Sequence, residues 1–266
     1  MKHFTTNVLL LSLLFSFSAS AQYFEPDESA LLKNGPTTSL NVYLGLDKDD
    51  YGSMSLGHLM AFAKNPEALS RDLSLFEEET STITRGLALY INMGFSPIRN
   101  ETRNIDHEIQ VGIGIHSDKE AMVTYKNEDL DTSIVYCNLQ GEFTLEGAYL
   151  FKGKWGNKVH WHVGVGMNAG ITFGNEMVLI SGGYFEPGLH PSEQPADEMN
   201  VEHFEAKQVY YTRGFIQHGV HYGLGKKWQL GINMRTGIGM QFIQDADPNF
   251  IRKTGGFMIG AKYRFS

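Results

Sequence analysis

Hydrophobic and polar residues alternate along eight segments of the chain. Between residues 228 and 242 (WQLGINMRTGIGMQF), every even position except Thr236 is apolar, and the odd positions are polar or glycine. Successive side chains point to opposite faces of a β-strand, so this period of two predicts strands with one apolar face. The pattern predicts strands at residues 39–46, 85–95, 105–115, 133–151, 158–174, 214–225, 228–242 and 256–266.

The lengths of these segments and of their connections favour a membrane barrel. Several segments exceed the about five or six residues of a typical soluble strand and reach the about nine to eleven that a tilted membrane strand needs. Short connections such as residues 226–227 alternate with long ones such as 47–81 and 181–208, as in transmembrane barrels. The short connection at 127–131 breaks this rule, which predicts that its flanking strands extend as a hairpin beyond the membrane.

A soluble β-sandwich also alternates, but two features favour a barrel over it. The face opposite the apolar one is rich in glycine, which is unfavourable in most strands and suits the crowded interior of a narrow barrel. The apolar face carries aromatic residues at both ends, in the pairs Trp161 with Phe173 and Trp228 with Phe242. We therefore predict an all-β fold, an eight-stranded antiparallel up-and-down transmembrane β-barrel.

The first residues have the pattern of a secretory signal peptide. A charged N-terminus, an apolar run at residues 8–17 and an Ala-Ser-Ala sequence ending at Ala21 follow in the expected order. We expect residues 1–21 to be the signal peptide, 22–38 a short periplasmic lead-in and 39–266 the barrel. No other segment approaches the apolar length that a transmembrane helix needs.

The composition argues against two further classes, disulfide-rich folds and nucleic-acid-binding proteins. The single cysteine, Cys137, excludes an intramolecular disulfide framework. The formal net charge of -8 at pH 7 argues against nucleic acid as a partner, because phosphate binding needs a basic surface.

The C-terminal sequence GAKYRF places a glycine and two aromatic residues at Gly260, Tyr263 and Phe265. It resembles the closing-strand signal of Gram-negative outer-membrane β-barrels, although Ser266 trails it and Met258 stands where a polar residue is common. Together with the signal peptide and the alternating segments, the chain resembles the small eight-stranded outer-membrane barrels of the OmpA/OmpX-like or PorT-like group. The resemblance is architectural. It implies an outer-membrane location, contact with outer-membrane lipid, and recognition of the C-terminal motif by barrel-assembly machinery.

The polar faces of the strands predict a charged lumen. Because an isolated buried charge is very costly, inward charges must pair, and we expect a structural salt-bridge network. A proton or ion path and a gated narrow channel are the alternatives. The inward set is Glu108, Glu142, Glu146, His160, His162, His221 and Arg235, with Lys262 and Arg264.

Part of this set has residue types that could hold a metal ion. His160 and His162 share one strand face, and Glu108, Glu142 or His221 opposite them would complete a site for a divalent ion. The alternative is that these histidines form hydrogen bonds near the periplasmic mouth. We therefore predict no metal, no cofactor and no catalytic residue.

The long loops carry further expectations. Residues 55–64 and 66–78 have helical spacing, which predicts short helices in the first external loop that cap the barrel mouth or contact a partner. Residues 182–208 are acidic and contain proline. We expect any extracellular partner to bind at residues 47–81 and 182–208.

These patterns predict an outer-membrane barrel with a structural, adhesive or surface-interaction role, without a wide pore and without enzymatic activity. One alternative is a lipid-modifying barrel enzyme, for which Ser181, His190, Ser192 and His203 supply residue types but no recognisable motif. The other is a soluble periplasmic barrel that binds an apolar ligand, which requires the apolar face to point inward.

Overall fold

The computed structural model describes residues 37–50, 54–81, 83–96, 105–127, 129, 132–183, 199–245 and 250–265. Within them lie ten β-strands, one short α-helix and one 3-10 helix. The strands are β1 (Thr37–Asp50), β2 (Glu77–Ser81), β3 (Ile83–Ser96), β4 (Ile105–Asn127), β5 (Thr132–Trp155), β6 (Val159–Gly183), β7 (Met199–Glu205), β8 (Val209–Gly223), β9 (Trp228–Ile243) and β10 (Phe250–Phe265). The predicted signal peptide and most of the lead-in lie outside the described residues.

Eight of the strands close into an antiparallel ring, which confirms the predicted fold class. The ring order is β1, β3, β4, β5, β6, β8, β9 and β10, and β10 pairs back with β1. The start of β1 and the end of β10 lie at one end of the ring, with the β5–β6 and β8–β9 turns. We call this the turn end and the opposite end the loop end. No helix in the described part of the chain is long and apolar enough to cross a membrane.

The apolar face of every ring strand points outward, and the polar face points into the lumen. Leu44, Met167 and Ile238 are 58%, 68% and 61% exposed, whereas the inward Asn233 is fully buried. An apolar belt of this extent suits contact with lipid tails. The alternative of a soluble barrel around an apolar ligand required the opposite orientation and does not fit this structure.

Aromatic side chains mark the turn end of the apolar belt. The Trp228 and Tyr263 rings lie 4.9 Å apart, and the Tyr263 and Phe265 rings lie 5.2 Å apart. On β5, elsewhere around the ring, the Tyr149 ring packs against Phe151 at 5.3 Å. Such a ring of aromatic residues is typical of the boundary between lipid tails and headgroups.

Inward glycines allow the strands to approach each other closely. A Cβ atom at Gly231 would lie 2.3 Å from Cδ2 of His221, and one at Gly260 would lie 2.2 Å from Cδ1 of Tyr43. A narrow lumen therefore alternates large side chains with glycine. Packing against Tyr43 therefore explains why residue 260 is a glycine, independently of any role in an assembly signal.

Three strands continue beyond the ring at the loop end. Strands β4, β5 and β6 contain 23, 24 and 25 residues, whereas β1 has 14. Their overhanging parts pair with each other, β2 pairs with the outer part of β4, and β7 pairs with the outer part of β6. We call this five-stranded part, β2-β4-β5-β6-β7, the extension sheet. It confirms the predicted extended hairpin and adds two strands in segments that the sequence placed in loops.

The segment between β1 and β2 folds over the lumen at the loop end. Its helix α1 (Leu56–Met60) begins after Ser55, whose side chain accepts a hydrogen bond from the His58 backbone. The 3-10 helix Pro66–Leu69 follows. The predicted second helix at 66–78 is wrong beyond this turn, because β2 begins at Glu77 and pairs with the exposed edge of β4.

Candidate functional site: the charged lumen and its cap

The lumen layer nearest the turn end is built around a buried carboxylate. Glu108 is 1% exposed, and Nζ of Lys152 and of Lys262 lie 2.5 Å and 2.6 Å from its Oε2. The Gln110 amide donates to Oε1 at 2.7 Å. Two cations and an amide donor compensate the loss of water around this carboxylate.

The three predicted histidines lie at the same turn-end mouth. The His162 and His221 rings stack with their centroids 5.0 Å apart, and His160 is directly opposite His221 in the β6–β8 register. His221 Nε2 lies 3.0 Å from the Tyr43 hydroxyl, and His162 Nε2 lies 3.4 Å from Oδ1 of Asn233. Among the described residues, no group of three or more His, Cys, Asp or Glu is arranged to hold a metal ion.

The middle layer is a bidentate ion pair. Arg235 donates from Nη1 and Nη2 to the two carboxylate oxygens of Glu146 at 2.7 and 2.8 Å. Its guanidinium carbon lies 4.1 Å from the centroid of the Tyr90 ring and 4.7 Å from that of Phe215. Asn92 donates to Glu146 at 2.6 Å. The two charged groups therefore neutralise each other within the lumen.

The layer nearest the loop end is a larger cluster. Glu142 is bonded to both Arg213 and Arg252, the latter at 2.8 Å, and Arg252 also contacts Asp49 at 2.8 Å. The two guanidinium groups lie 4.7 and 4.9 Å from the Tyr211 ring. This layer fills the section of the barrel just below its mouth.

Asp47 completes the loop-end layer. Its carboxylate accepts a hydrogen bond from the Tyr90 hydroxyl at 2.7 Å and lies 2.8 Å from Nδ1 of His116. Tyr90 also packs on Arg235, so it connects this layer with the middle one.

Several members of the lumen network were not predicted from the sequence. Each lies within a few residues of the end of a predicted strand, where the predicted alternation was stopped too early. Continuing the period of two beyond both ends of the predicted strands would have placed them inward. They are Asp47, Asp49, His116, Lys152, Arg213 and Arg252.

The paired charges of the three layers balance. Five carboxylates face five lysine or arginine cations in the three layers. An eight-stranded barrel is just wide enough for its inward side chains. The pairs are Glu108 with Lys152 and Lys262, Glu146 with Arg235, and Glu142, Asp47 and Asp49 with Arg213 and Arg252.

An apolar cluster covers the loop end of the lumen. Leu59, Phe62 and Leu69 from the segment after β1 are at most 1% exposed. They pack with residues of the extension sheet, including Tyr136 and Met177. We call this the cap. It confirms that the first loop covers the barrel mouth.

Ion pairs fix the cap to β7. Lys64 Nζ lies 2.8 Å from Oε2 of Glu205, and this hydrogen bond lowers the pKa of the Glu205 carboxyl below its usual value. Arg71 Nη2 lies 2.7 Å from Oε1 of Glu202. These two contacts, with the backbone hydrogen bond from Lys64 to the Glu205 carbonyl at 3.1 Å, join the first loop to β7.

The residues considered for lipid-modifying catalysis are not assembled in the described structure. His203 Nδ1 lies 2.9 Å from Oε1 of Glu176 on the outside of the extension sheet. Ser181 is in β6. His190 and Ser192 lie outside the described residues.

A closed eight-stranded ring, a lipid-facing belt and a filled, charge-balanced lumen define a narrow transmembrane β-barrel. Among solved structures, the chain is similar to Neisserial surface protein A, with 11% identity, a TM-score of 0.35, and 87% of this chain and 99% of that one covered. It is similar to Ail of Yersinia pestis in complex with the heparin analogue sucrose octasulfate, with 9% identity, a TM-score of 0.35, and coverages of 87% and 99%. It is also similar to the outer membrane protein OprG from Pseudomonas aeruginosa, with 12% identity, a TM-score of 0.34, and 87% of this chain and 97% of that one covered.

No family model and no curated protein matches the sequence. The narrower grouping with OmpA/OmpX-like or PorT-like barrels therefore stays a prediction.

Proposed function

We propose that this chain is an outer-membrane barrel that acts as a rigid, non-conducting platform and presents the extension sheet at the cell surface for adhesion or another surface interaction. The observation that carries the proposal is the overhang of β4, β5 and β6 beyond a lumen that is filled with ion pairs. A pore would need an open lumen, and a simple membrane anchor would not need the extension sheet.

The overhang is large compared with the membrane. The 24 residues of β5, at about 3.3 Å per residue and a tilt near 40°, rise roughly 60 Å along the barrel axis. A lipid-facing band is about 25 Å tall, so roughly half of β5 projects beyond the lipid. In this proposal the loop end faces outside the cell and the turn end faces the periplasm.

The proposed role is non-catalytic. The buried lumen carboxylates are paired with lysine or arginine, and His203 and Glu176 form an exposed pair rather than a site in a cleft. We expect the purified protein to leave lipid A unchanged in mass when the two are incubated together.

Cysteine labelling on intact cells tests the orientation and location. In a Cys137→Ala background, a cysteine at Asn200 in β7 is expected to react with a membrane-impermeant maleimide on intact cells. A cysteine at Lys226 in the β8–β9 turn is expected to react only after the outer membrane is permeabilised. Labelling of the Lys226 position alone on intact cells, or of neither position before permeabilisation, contradicts the proposal.

A shortened variant tests the surface role. Lys119 and Gln140 are directly paired, so replacing residues 120–139 by Asn-Gly joins them through a two-residue hairpin turn and leaves the ring strands complete. Cells with this variant are expected to lose the surface binding that the full chain confers. Retained binding by a correctly inserted variant would contradict the role of the extension sheet.

A further inference from the structure

Two cations lie side by side on the lipid-facing surface at the loop end. Lys48 of β1 and Arg85 of β3 are directly opposite in the antiparallel register, and both are exposed. Like charges in directly paired positions destabilise a sheet. Within the described residues, neither side chain has an ion-pair partner, so the sheet itself does not offset this repulsion.

A third cation stands on the next strand. Lys253 of β10 is exposed, and it is two residues beyond Gly255, the direct partner of Lys48. Asp50 is opposite Lys253 and is half-buried. Three cations and one carboxylate leave this cluster with two net positive charges.

The tilt of the strands brings the three cations to one level. Residues that pair directly on neighbouring strands form a row around the barrel. One such row begins at Leu46, near the loop end of β1, crosses β10, β9, β8 and β6, and ends at Phe151, near the turn end of β5. The row therefore descends by about 3 Å per strand at a tilt near 40°. Two residues along a strand rise about 5 Å, so Lys253 regains the height of Lys48 and Arg85.

On β1, this level is the end of the apolar face. Its last outward apolar residue is Leu46, which is 59% exposed and directly paired with the exposed Leu87 of β3 and Phe257 of β10. On β9 and β10 the apolar face continues toward the loop end, through Ile238 and Ile251. The cations therefore border the loop-end rim of the apolar belt, from which long lysine and arginine side chains extend to the level of lipid headgroups.

The cluster surrounds a gap in the outer surface. Gly255 lies between Lys48 and Thr236 in the same row. A Cβ atom at Gly255 would have no heavy atom nearer than 3.9 Å, so the glycine is not required by packing there. Thr236 is the single polar residue on the outward face of β9. Its hydroxyl adds a hydrogen-bond donor beside the gap.

We propose that Lys48, Arg85 and Lys253 bind the phosphate of an anionic lipid headgroup in the leaflet at the loop end, which is the outer leaflet under the proposed function. Arginine and lysine hydrogen bonds to phosphate are charge-assisted and strong. A shared phosphate between Lys48 and Arg85 converts their repulsion into two attractive contacts. The site thereby sets the depth of the barrel in the membrane beside the extension sheet.

Lipid binding by the purified mature protein in neutral detergent tests this site. The probes are bis-phosphorylated lipid A, the same lipid after removal of its phosphates, phosphatidylcholine, and inorganic phosphate. The test variant is Lys48→Gln, Arg85→Gln, Lys253→Gln. The matched control is Lys158→Gln, Lys226→Gln, Lys227→Gln, which removes three exposed cations at the turn end.

We expect the parent protein and the control to bind phosphorylated lipid A, and the test variant to bind at least about tenfold more weakly, as for the loss of about 1.4 kcal/mol. Heat-modifiable migration in gels checks that each variant is folded. Unchanged affinity in the test variant, an equal loss in the control, or equal affinity for dephosphorylated lipid overturns the proposal. Equally tight binding of inorganic phosphate overturns the assignment to a lipid. The cysteine-labelling experiment on intact cells tests the proposed orientation and location of the barrel without involving this lipid site. A wrong orientation can therefore be distinguished from a wrong lipid site.

Discussion

At the scale of single residues, the stability of the lumen depends on each charge keeping its partner. Glu146 and Arg235 are 6% exposed, and each satisfies the other through two hydrogen bonds. Removing one member of such a pair leaves the other as a buried charge without compensation, which costs more than removing both.

We therefore expect Glu146→Gln to destabilise the folded barrel by about 3 kcal/mol or more, measured by urea unfolding in lipid vesicles. The double variant Glu146→Gln, Arg235→Gln is expected to regain part of this loss. The control is Glu205→Gln, which breaks an exposed ion pair with Lys64 and is expected to leave stability unchanged. A smaller loss for Glu146→Gln than for the double variant would contradict this explanation.

The residues of the lumen also show what the sequence can predict. The predicted inward positions Glu108, Glu142 and Arg235 are buried in the lumen, because a period of two fixes the face of every residue once a strand is identified. Asp47 and Arg252 were missed because a charged residue beside an apolar run looks like part of a loop. In a barrel with a charged lumen, the inward charge instead continues the strand.

At the scale of elements, the extension sheet and the cap depend on each other. The overhanging parts of β4, β5 and β6 have an apolar inner surface, on which Leu59 and Phe62 are buried. A sheet that stands outside the membrane needs such a cover, since lipid does not shield its apolar face. The first loop therefore serves as the second layer of a small core.

Removing this core is expected to release the first loop without opening the ring. Large-to-small changes at buried positions cost about 2–5 kcal/mol each, so Leu59→Ala, Phe62→Ala should unfold the loop locally. Trypsin is then expected to cleave after Lys64 and Arg71, whereas we expect the parent protein to resist this cleavage. Leu75→Ala, at a position 71% exposed, is the control and should keep the protection.

Trypsin resistance of the double variant equal to that of the parent would show that the cap does not depend on these side chains. Heat-modifiable migration should stay unchanged in every variant, because the ring strands are not altered.

The elements outside the ring were harder to predict than the ring. Helical spacing at residues 66–78 predicted a helix, but pairing with the edge of β4 takes Glu77–Ser81 into a strand. At residues 199–205, β7 forms by pairing with the overhang of β6. Both strands depend on edges that exist only in the folded molecule, so local sequence patterns do not contain the signal.

At the scale of the whole molecule, two seals close the barrel in series. The three charged layers fill the lumen from Lys152 near the turn end to Arg252 near the loop end. The cap then covers the mouth with fully buried Leu59 and Phe62. Under the proposed function an ion would have to pass both seals, so we expect that opening either one alone leaves the path blocked.

We therefore expect no stable conductance steps in planar bilayers, either from the parent protein or from Leu59→Ala, Phe62→Ala. The balanced variant Glu146→Ala, Arg235→Ala is also expected to be silent, because the layers around Glu108 and Glu142 remain in place on both sides of it. An unrelated wide porin in the same bilayer shows that insertion and detection work. Stable conductance steps from the parent protein would mean that the ion pairs of the lumen open and let ions through. Steps only from the cap variant would mean that the first loop is the sole seal and that the charged layers conduct.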